Sequence, residues 1–444
     1  MNKELFLTSR KERTSYGAWF VGQNIIYFMV LSYLAIFLTD EIGMVEGAVA
    51  TLFLVARVWD AINDPMLGAL VDKTKPKKGK FKPWINVVSI AMPIATIFVF
   101  WNFHGSDGFN TTYAYISYIV WGMLYTISDV PIFALATTMT DVPEERVSIM
   151  SIGRLAAGLA MMVIGILSPQ LIANLGYSTS IIILMGFSLL IMLPLRIYVK
   201  ERIIYKREEK TSFKEMIKTV TNNKYLLVFY ASFIALTATL TSMTIAPYFA
   251  KWNLGDIGIQ TTIMATLAVP MLLIPALTPK LVSLFGKRKI FIWGIGSSIV
   301  FSIIQYFVGY DNFGLFLLLN ALKSLGMFMP MMMMGIFTAD CVEYGHYTTG
   351  IRKEGITFSV QTFSTKLGGA ISGSLALFVI SAYGYKGTAA VQTAEALNGI
   401  WIATALIPIV GLVIAFIIFT LFYHLSEEDV AKMIHEMKDS KEII

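Results

Sequence analysis

Twelve stretches of about 20 or more predominantly apolar residues recur along this 444-residue chain, near 16–39, 44–71, 84–104, 111–138, 147–173 and 178–199, then 224–250, 258–285, 289–310, 313–339, 356–383 and 397–423. Roughly 20 apolar residues suffice to cross the hydrocarbon core as a helix. None of the stretches alternates at a period of two, as barrel strands do. A lipid-exposed backbone must satisfy its own hydrogen bonds, which leaves helices as the spanning element. With 56% hydrophobic and 14% charged residues, the composition lies outside that of soluble globular chains. The expected fold is an all-α membrane protein with twelve transmembrane helices.

Orientation follows from Lys and Arg, which are retained on the cytoplasmic side of spans. Lys3, Arg10, Lys11 and Arg13 precede the first stretch, and Lys73, Lys75, Lys77, Lys78, Lys80 and Lys82 fill the second-to-third connection. The opposite connections hold Lys251 and Lys386 beside Asp40, Glu41, Glu46 and Asp107. Both termini are therefore expected to be cytoplasmic in a multi-pass protein of the cytoplasmic (inner) membrane. The net charge of +6 is a topology signal and predicts no nucleic-acid partner. The start, MNKELFLTSRKER, lacks a short apolar core with a small-residue cleavage site, so the first helix is expected to remain as a span.

The segment 196–224 interrupts the apolar pattern with nine basic and four acidic residues. It predicts an N-terminal six-helix bundle at 1–199, a cytoplasmic central loop at 200–223, a C-terminal six-helix bundle at 224–424 and a cytoplasmic tail at 425–444. The halves echo each other in GALVDKTKPKKGKFKPW and PKLVSLFGKRKIF, whose pairs Gly79-Lys80 and Gly286-Lys287 lie 207 residues apart. A six-plus-six duplication of this kind resembles the major facilitator superfamily, in which substrate binds near the midplane between the halves.

Charge inside a span costs at least ~2.5–3.5 kcal/mol, so carboxylates there are functional candidates. In ARVWDAINDPMLGALVD, residues 56–72, the residues Asp60, Asn63 and Asp64 project from one helix face, with Arg57 one turn earlier. Clustered oxygens suit a hard cation, and two close carboxylates also suit a proton. The competing reading is that Arg57 and Asp60 neutralise each other to hold helices together. Asp72, about twelve residues on from Asp60, reads as a loop anchor. Helix four places Thr126 and Asp129 on one face beyond Trp121 and Tyr125, with Phe133 further along the same line. A carboxylate beside aromatic rings suits a sugar, whose C–H face stacks while its hydroxyls donate; ordinary packing is the alternative for each ring. Asp141, Glu144, Glu145 and Arg146 read as a gate or loop contact. Arg154 and Lys366 are the candidates for buried positive charge.

The segments RVWDAINDPMLGALVD, GKFKPW, YTISDVP and DCVEYGHYTTGIRKEGITFSVQT resemble the glycoside–pentoside–hexuronide:cation symporters, typified by the melibiose permease, over nearly the whole chain. The resemblance implies a cation site at Asp60, Asn63, Asp64 and Thr126, which is a metal site if the coupling ion is Na⁺ or Li⁺ and a proton site if it is H⁺. It implies a sugar site at Trp121, Asp129, Arg154, Thr362 and Lys366. Two positions depart: Gln23-Asn24 stand where that permease has a Lys-Asp pair, and Phe133 where it has a tryptophan. Galactoside specificity is therefore not carried over, and a neutral Asn24 eases the binding of an anionic sugar such as a hexuronide.

The expected function is cation-coupled symport of a sugar, glycoside, pentoside or hexuronide by alternating access, with Arg57 balancing charge and Gln23, Asn24, Tyr125 and Phe133 joining the substrate-facing set. A monomer within the lipid bilayer is the expected functional unit, with no cofactor beyond the coupling cation. A lysolipid or other non-sugar cargo on the same fold is the nearest rival, since lysolipid transporters of the wider superfamily resemble this family at helix two. An enzyme is not expected, because His104, His346, His424 and His435 show no metal-ligand spacing and no nucleophile–base pair is evident. The lone Cys341 allows no internal disulfide or multi-thiolate site.

Overall fold

The computed structural model describes residues 7–73, 79–140, 142–203, 221–350 and 354–439. Among these, every long element is a helix and no strand is formed. The helices are α1 (Arg10–Glu41), α2 (Glu46–Lys73), α3 (Lys82–Val99) and α4 (Asp107–Met139). α5 and α6 share the run Pro143–Tyr198 and part at Gly176, where φ 74° and ψ 173° leave the helical region. Then come α7 (Lys224–Asn253), α8 (Gln260–Phe285), α9 (Lys287–Val308), α10 (Phe313–Thr349), α11 (Glu354–Ala382) and α12 (Ala394–Phe422). A short α13 (Glu427–Asp439) follows.

These are the twelve expected helices in the expected order, with α1 starting at Arg10 instead of 16 and α3 ending at Val99 instead of 104. Only α2 falls short of the apolarity that marks a membrane crossing by composition, because Arg57, Asp60 and Asp64 sit inside it. α10 runs ten residues past the predicted end at 339, carrying Asp340 to His346 as a polar helical extension that stops at Gly350 in the left-handed region. Most of the predicted central loop, 204–220, lies outside the described residues, as do Asp141 and the side chain of Glu144.

The chain forms two compact units. The first holds Met1–Arg207, Met243–Thr262 and Ile380–Gly399; the second holds Glu208–Ser242, Ile263–Val379 and Ile400–Ile444. Phe229, Phe291, Phe337 and Phe419 form the aromatic centre of the second unit, with Phe229 and Phe337 stacked at 5.2 Å. In the first unit, α1 opens with a capping box in which Ser9 and Glu12 satisfy each other's amides. Arg202 then pairs with Glu12 at 2.8 Å.

The Gly-Lys echo has a structural counterpart in each unit. Gly79 and Gly286 both take positive φ, 108° and 82°, just before α3 and α9. Beside each stands a glutamate from just after the sixth helix of that half. Glu201 accepts the amides of Lys80, Phe81 and Lys82 at 2.8, 2.8 and 2.6 Å, and Glu427 accepts that of Lys287. Basic side chains complete the exchange. Lys82 donates to the Val199 carbonyl at 2.6 Å, and Arg288 donates to those of Tyr423 and Thr420 at 2.8 and 3.1 Å. Negative charge thus sits on one helix's N-terminus and positive charge on another's C-terminus, satisfying backbone groups that the helices leave unpaired. A Cβ at Gly79 would lie 2.5 Å from Glu201 Oε1, so both space and φ demand glycine there.

Glu145 acts as a loop contact. Its fully buried carboxylate accepts the amides of Leu7 and Thr8 at 3.0 and 2.8 Å and the hydroxyls of Thr8 and Thr140. Burial pushes this carboxyl up, but the Thr140 and Thr8 bonds outweigh it and hold the pKa below the ordinary value.

Two outcomes are expected. Glu201→Ala lowers unfolding stability in detergent by roughly 1–3 kcal/mol, from the loss of its charge-assisted bonds to three half-buried amides. Glu427→Ala lowers it by about 0.3–1 kcal/mol, since its carboxylate is exposed; exposed Glu428→Ala serves as the unchanged control. For Glu145, a depressed folded pKa places its stabilisation above the unfolded pKa of about 4.3 and removes it as pH falls through the folded value. Hydrogen exchange at Leu7 and Thr8, corrected for intrinsic rates, is therefore protected at neutral pH and loses protection only in acid. In Glu145→Ala it is unprotected throughout.

Candidate functional site

The first unit assembles most of the candidate residues on α1, α2 and α4. On α2, the i,i+3 spacing lets Arg57 Nη1 donate to Asp60 Oδ2 at 3.0 Å, with the two side chains 29% and 18% exposed. The other carboxylate oxygen, Oδ1, faces α4 at Gly122. A Cβ there would stand 3.3 Å from it, so the missing side chain lets the carboxylate approach α4. One turn on, the buried Thr126 hydroxyl donates to the Gly122 carbonyl at 3.2 Å. Asn63 is 2% exposed, and its amide nitrogen has no partner among the described residues. Asp60, Asn63 and Thr126 supply carboxylate, amide and hydroxyl oxygens, a donor chemistry that fits a small hard cation. The side chains of Asp64 and Asp72 lie outside the described residues.

Along α4, Tyr118, Trp121 and Tyr125 stack in succession with centroids 5.9 and 5.3 Å apart, and Tyr27 from α1 extends the stack onto Tyr125 at 5.2 Å. Trp121 is only 5% exposed, has a ring on each side, and donates its indole N–H to Thr96 Oγ1 on α3 at 2.9 Å. It is built into the helix packing; Tyr27 and Tyr125, at the end of the stack, are half-buried. Tyr27 and Tyr118 also lie within electrostatic reach of Arg57.

Asp129 is held from α1. The buried Gln23 amide donates to Ser128 Oγ at 3.0 Å and to Asp129 Oδ1 at 3.4 Å, while Ser128 donates to the Tyr125 carbonyl at 2.7 Å. Asn24 donates to its own helix at the Phe20 carbonyl, 2.9 Å away, and keeps its amide oxygen for other donors. Phe133 is 39% exposed and meets Phe20 edge to face at 5.4 Å. Arg154 is exposed on α5.

Thr362 and Lys366 belong to the second unit. Lys366 is half-buried on α11, and the Thr362 side chain lies outside the described residues. One turn from Lys366, Gln361 accepts from Thr338 at 3.1 Å. Sequence reasoning missed Gly122, Tyr27, Ser128 and Thr96. Tyr27 was within reach of it, four residues after Gln23 on the same face of α1; the partnership of Thr96 with Trp121 has no signature in either helix alone.

Comparison with known proteins adds to this geometry. The symporter YnaJ of Bacillus subtilis (strain 168), uncharacterized by its description, is 31% identical over 98% of this chain and 96% of its own length. The glucuronide carrier protein homolog of Escherichia coli (strain K12) is 27% identical over 100% of this chain and 98% of its own. The crystal structure of the nucleoside transporter NupG superposes with a TM-score of 0.64 over 94% of this chain and all of that one; at 13% identity the likeness concerns the fold. A model of the MFS/sugar transport protein family matches residues 15–427, and the chain, a multi-pass helical membrane protein of the major facilitator fold, belongs to that family.

Proposed function

We propose that this protein couples the entry of a sugar or glycoside to a cation gradient by alternating access across the cytoplasmic membrane, with both termini cytoplasmic. The observation that carries the reading is the meeting of α2 and α4. There the Asp60 carboxylate approaches α4 in the space left by Gly122, whose carbonyl accepts from Thr126, and Tyr118, Trp121 and Tyr125 stack along the same helix toward Asp129. Asp60, Asn63, Asp64 and Thr126 serve the cation, Na⁺, Li⁺ or H⁺, and Arg57 balances charge. Gln23, Asn24, Tyr125, Asp129, Phe133, Arg154, Thr362 and Lys366 serve the sugar, with Trp121 shaping the wall behind Tyr125. The working halves are 1–199 and 224–424, joined through 200–223 and followed by the tail 425–444.

Coupling has a direct electrostatic origin. A carboxylate in hydrocarbon favours any cation that neutralises it, and a cation that orders α2 against α4 also orders the wall carrying Tyr125 and Asp129. By linkage, the sugar must then tighten the cation by the same factor. An anionic sugar is a more specific reading, favoured by the neutral Gln23-Asn24 pair and the exposed Arg154; a lysolipid needs an apolar side opening in place of this polar and aromatic surface.

Uptake of labelled neutral glycosides, pentosides and hexuronides into vesicles, under imposed Na⁺, Li⁺ or proton gradients, tests the proposal. At least one sugar is expected to accumulate against its gradient. Equilibration without accumulation identifies a passive pore, and no sugar uptake under any gradient defeats the reading. Asp60→Cys is expected to abolish cation-stimulated uptake while sparing residual sugar binding. Gly122→Ala, whose methyl would press on Asp60 Oδ1, is expected to weaken cation affinity roughly tenfold, about 1.4 kcal/mol, with a smaller effect on sugar binding without cation. Full Na⁺, Li⁺ or H⁺ stimulation in Asp60→Cys removes that residue from the cation site.

A further inference from the structure

A buried carboxylate outside the candidate site, Asp40, organises the opposite end of α1. Asp40 lies in the π-helical turn Phe37–Glu41, with its side chain fully excluded from solvent. Its Oδ2 accepts from Lys251 Nζ at 2.6 Å and from the Trp252 indole N–H at 3.1 Å. Its Oδ1 accepts from the Tyr385 hydroxyl at 2.5 Å and from Thr39 Oγ1 at 2.8 Å. Neighbouring bonds follow the same plan. Tyr248 meets Thr39 at 3.0 Å, and the Gly387 amide donates to the buried Glu46 at 3.1 Å.

Apart from Thr39, every donor to Asp40 comes from Met243–Thr262 or Ile380–Gly399. These are the two stretches that pack with the first unit although the helices they continue, α7, α11 and α12, lie mostly in the second. The change of unit on α7 falls at a break in that helix: the α-helical run ends at Ala238, resumes at Ser242, and passes through Thr239 with φ −105° and ψ 1°. On α12 it falls just before the π-helical turn Ile402–Leu406. The far end of α7 and the α11–α12 connection are thus clasped by Asp40, and α7 and α12 continue into the remainder through irregular helix.

We propose that Asp40 is a latch, whose release from Lys251, Trp252 and Tyr385 frees the ends of α7 and of the α11–α12 connection when the protein opens on the face opposite its termini. The proposal rests on the alternating-access reading above. This ion pair suits such a role, because Asp40 is fully desolvated while the Lys251 side chain stays 33% exposed, and the desolvation of the carboxylate offsets part of their attraction. Opening rehydrates Asp40, and the hydration it regains offsets the bonds it loses to Lys251, Trp252 and Tyr385, which keeps the closed and open arrangements close in free energy, as a bistable element requires.

The test uses purified full-length protein in lipid nanodiscs and needs no transported substrate, so its outcome is independent of the sugar assignment. Ala250→Cys places a thiol at a fully buried position in the clasped turn, while the native Cys341, also fully buried, reports on general loosening in the second unit. A polar maleimide is followed at both thiols by peptide mass spectrometry. Adding Asp40→Asn or Lys251→Met is expected to speed labelling at position 250 on the order of tenfold, the response to losing a charge-assisted hydrogen bond, with labelling of Cys341 unchanged. Tyr385→Phe is expected to give a smaller rise. Unchanged labelling at position 250 in folded Asp40→Asn and Lys251→Met proteins overturns the latch, and so does a parallel rise at both thiols in both variants, which would mark Asp40 as general structural support.

Discussion

An ion pair in the middle of α2 sets the terms for the rest of this molecule. Arg57 and Asp60 place two charges in α2, at a depth where an uncompensated one would cost several kcal/mol. The i,i+3 spacing lets each charge meet the other, and Gly122 lets α4 close over the carboxylate. One oxygen of Asp60 is committed to Arg57 and the other looks across to α4, an orientation that under the proposed function is ready for a cation. The Tyr118–Trp121–Tyr125 stack, steadied by the Trp121–Thr96 bond, gives that part of α4 a stiff wall. Gln23 and Ser128 then fix Asp129 in the next turn.

The same electrostatic economy governs the helix ends. In each unit a glutamate after the sixth helix of that half sits on the N-terminus of its third helix, and a basic residue from the third answers at the C-terminus of the sixth. The charged sequence between helices two and three thus carries structure, through the Lys80, Phe81 and Lys82 amides and the Lys82 side chain. Asp40 and Glu145 show the pattern again at other helix ends, each a buried carboxylate that joins one nearby threonine to donors distant in sequence.

The sequence made the spans legible because hydrocarbon imposes a length and an apolarity that few other constraints mimic. It lost the end of α10, where Asp340 to His346 continue the helix in polar residues and hydropathy alone has nothing to report. Helical spacing identified the face shared by Arg57, Asp60 and Asn63, but spacing names a face and not its neighbour. Gly122 opposite Asp60 and the covering of Trp121 by Tyr118, Tyr125 and Thr96 emerge only when α3 and α4 are packed. The paired caps were half visible: the Gly-Lys echo marks the two helix starts, whereas Glu201 and Glu427 lie more than a hundred residues from those amides and carry no local sign of their role.

The central claim is that cation and sugar share one energetic unit built on Asp60. Isothermal titration of the reconstituted protein measures it, using a sugar that accumulates in vesicles: sugar is titrated at several concentrations of the effective cation, and the cation at several concentrations of sugar. The account predicts that each ligand tightens the other by the same factor, between about 5- and 150-fold, and that Asp60→Cys brings both factors to one. Sugar affinity indifferent to every cation, or undiminished coupling in Asp60→Cys, would contradict it.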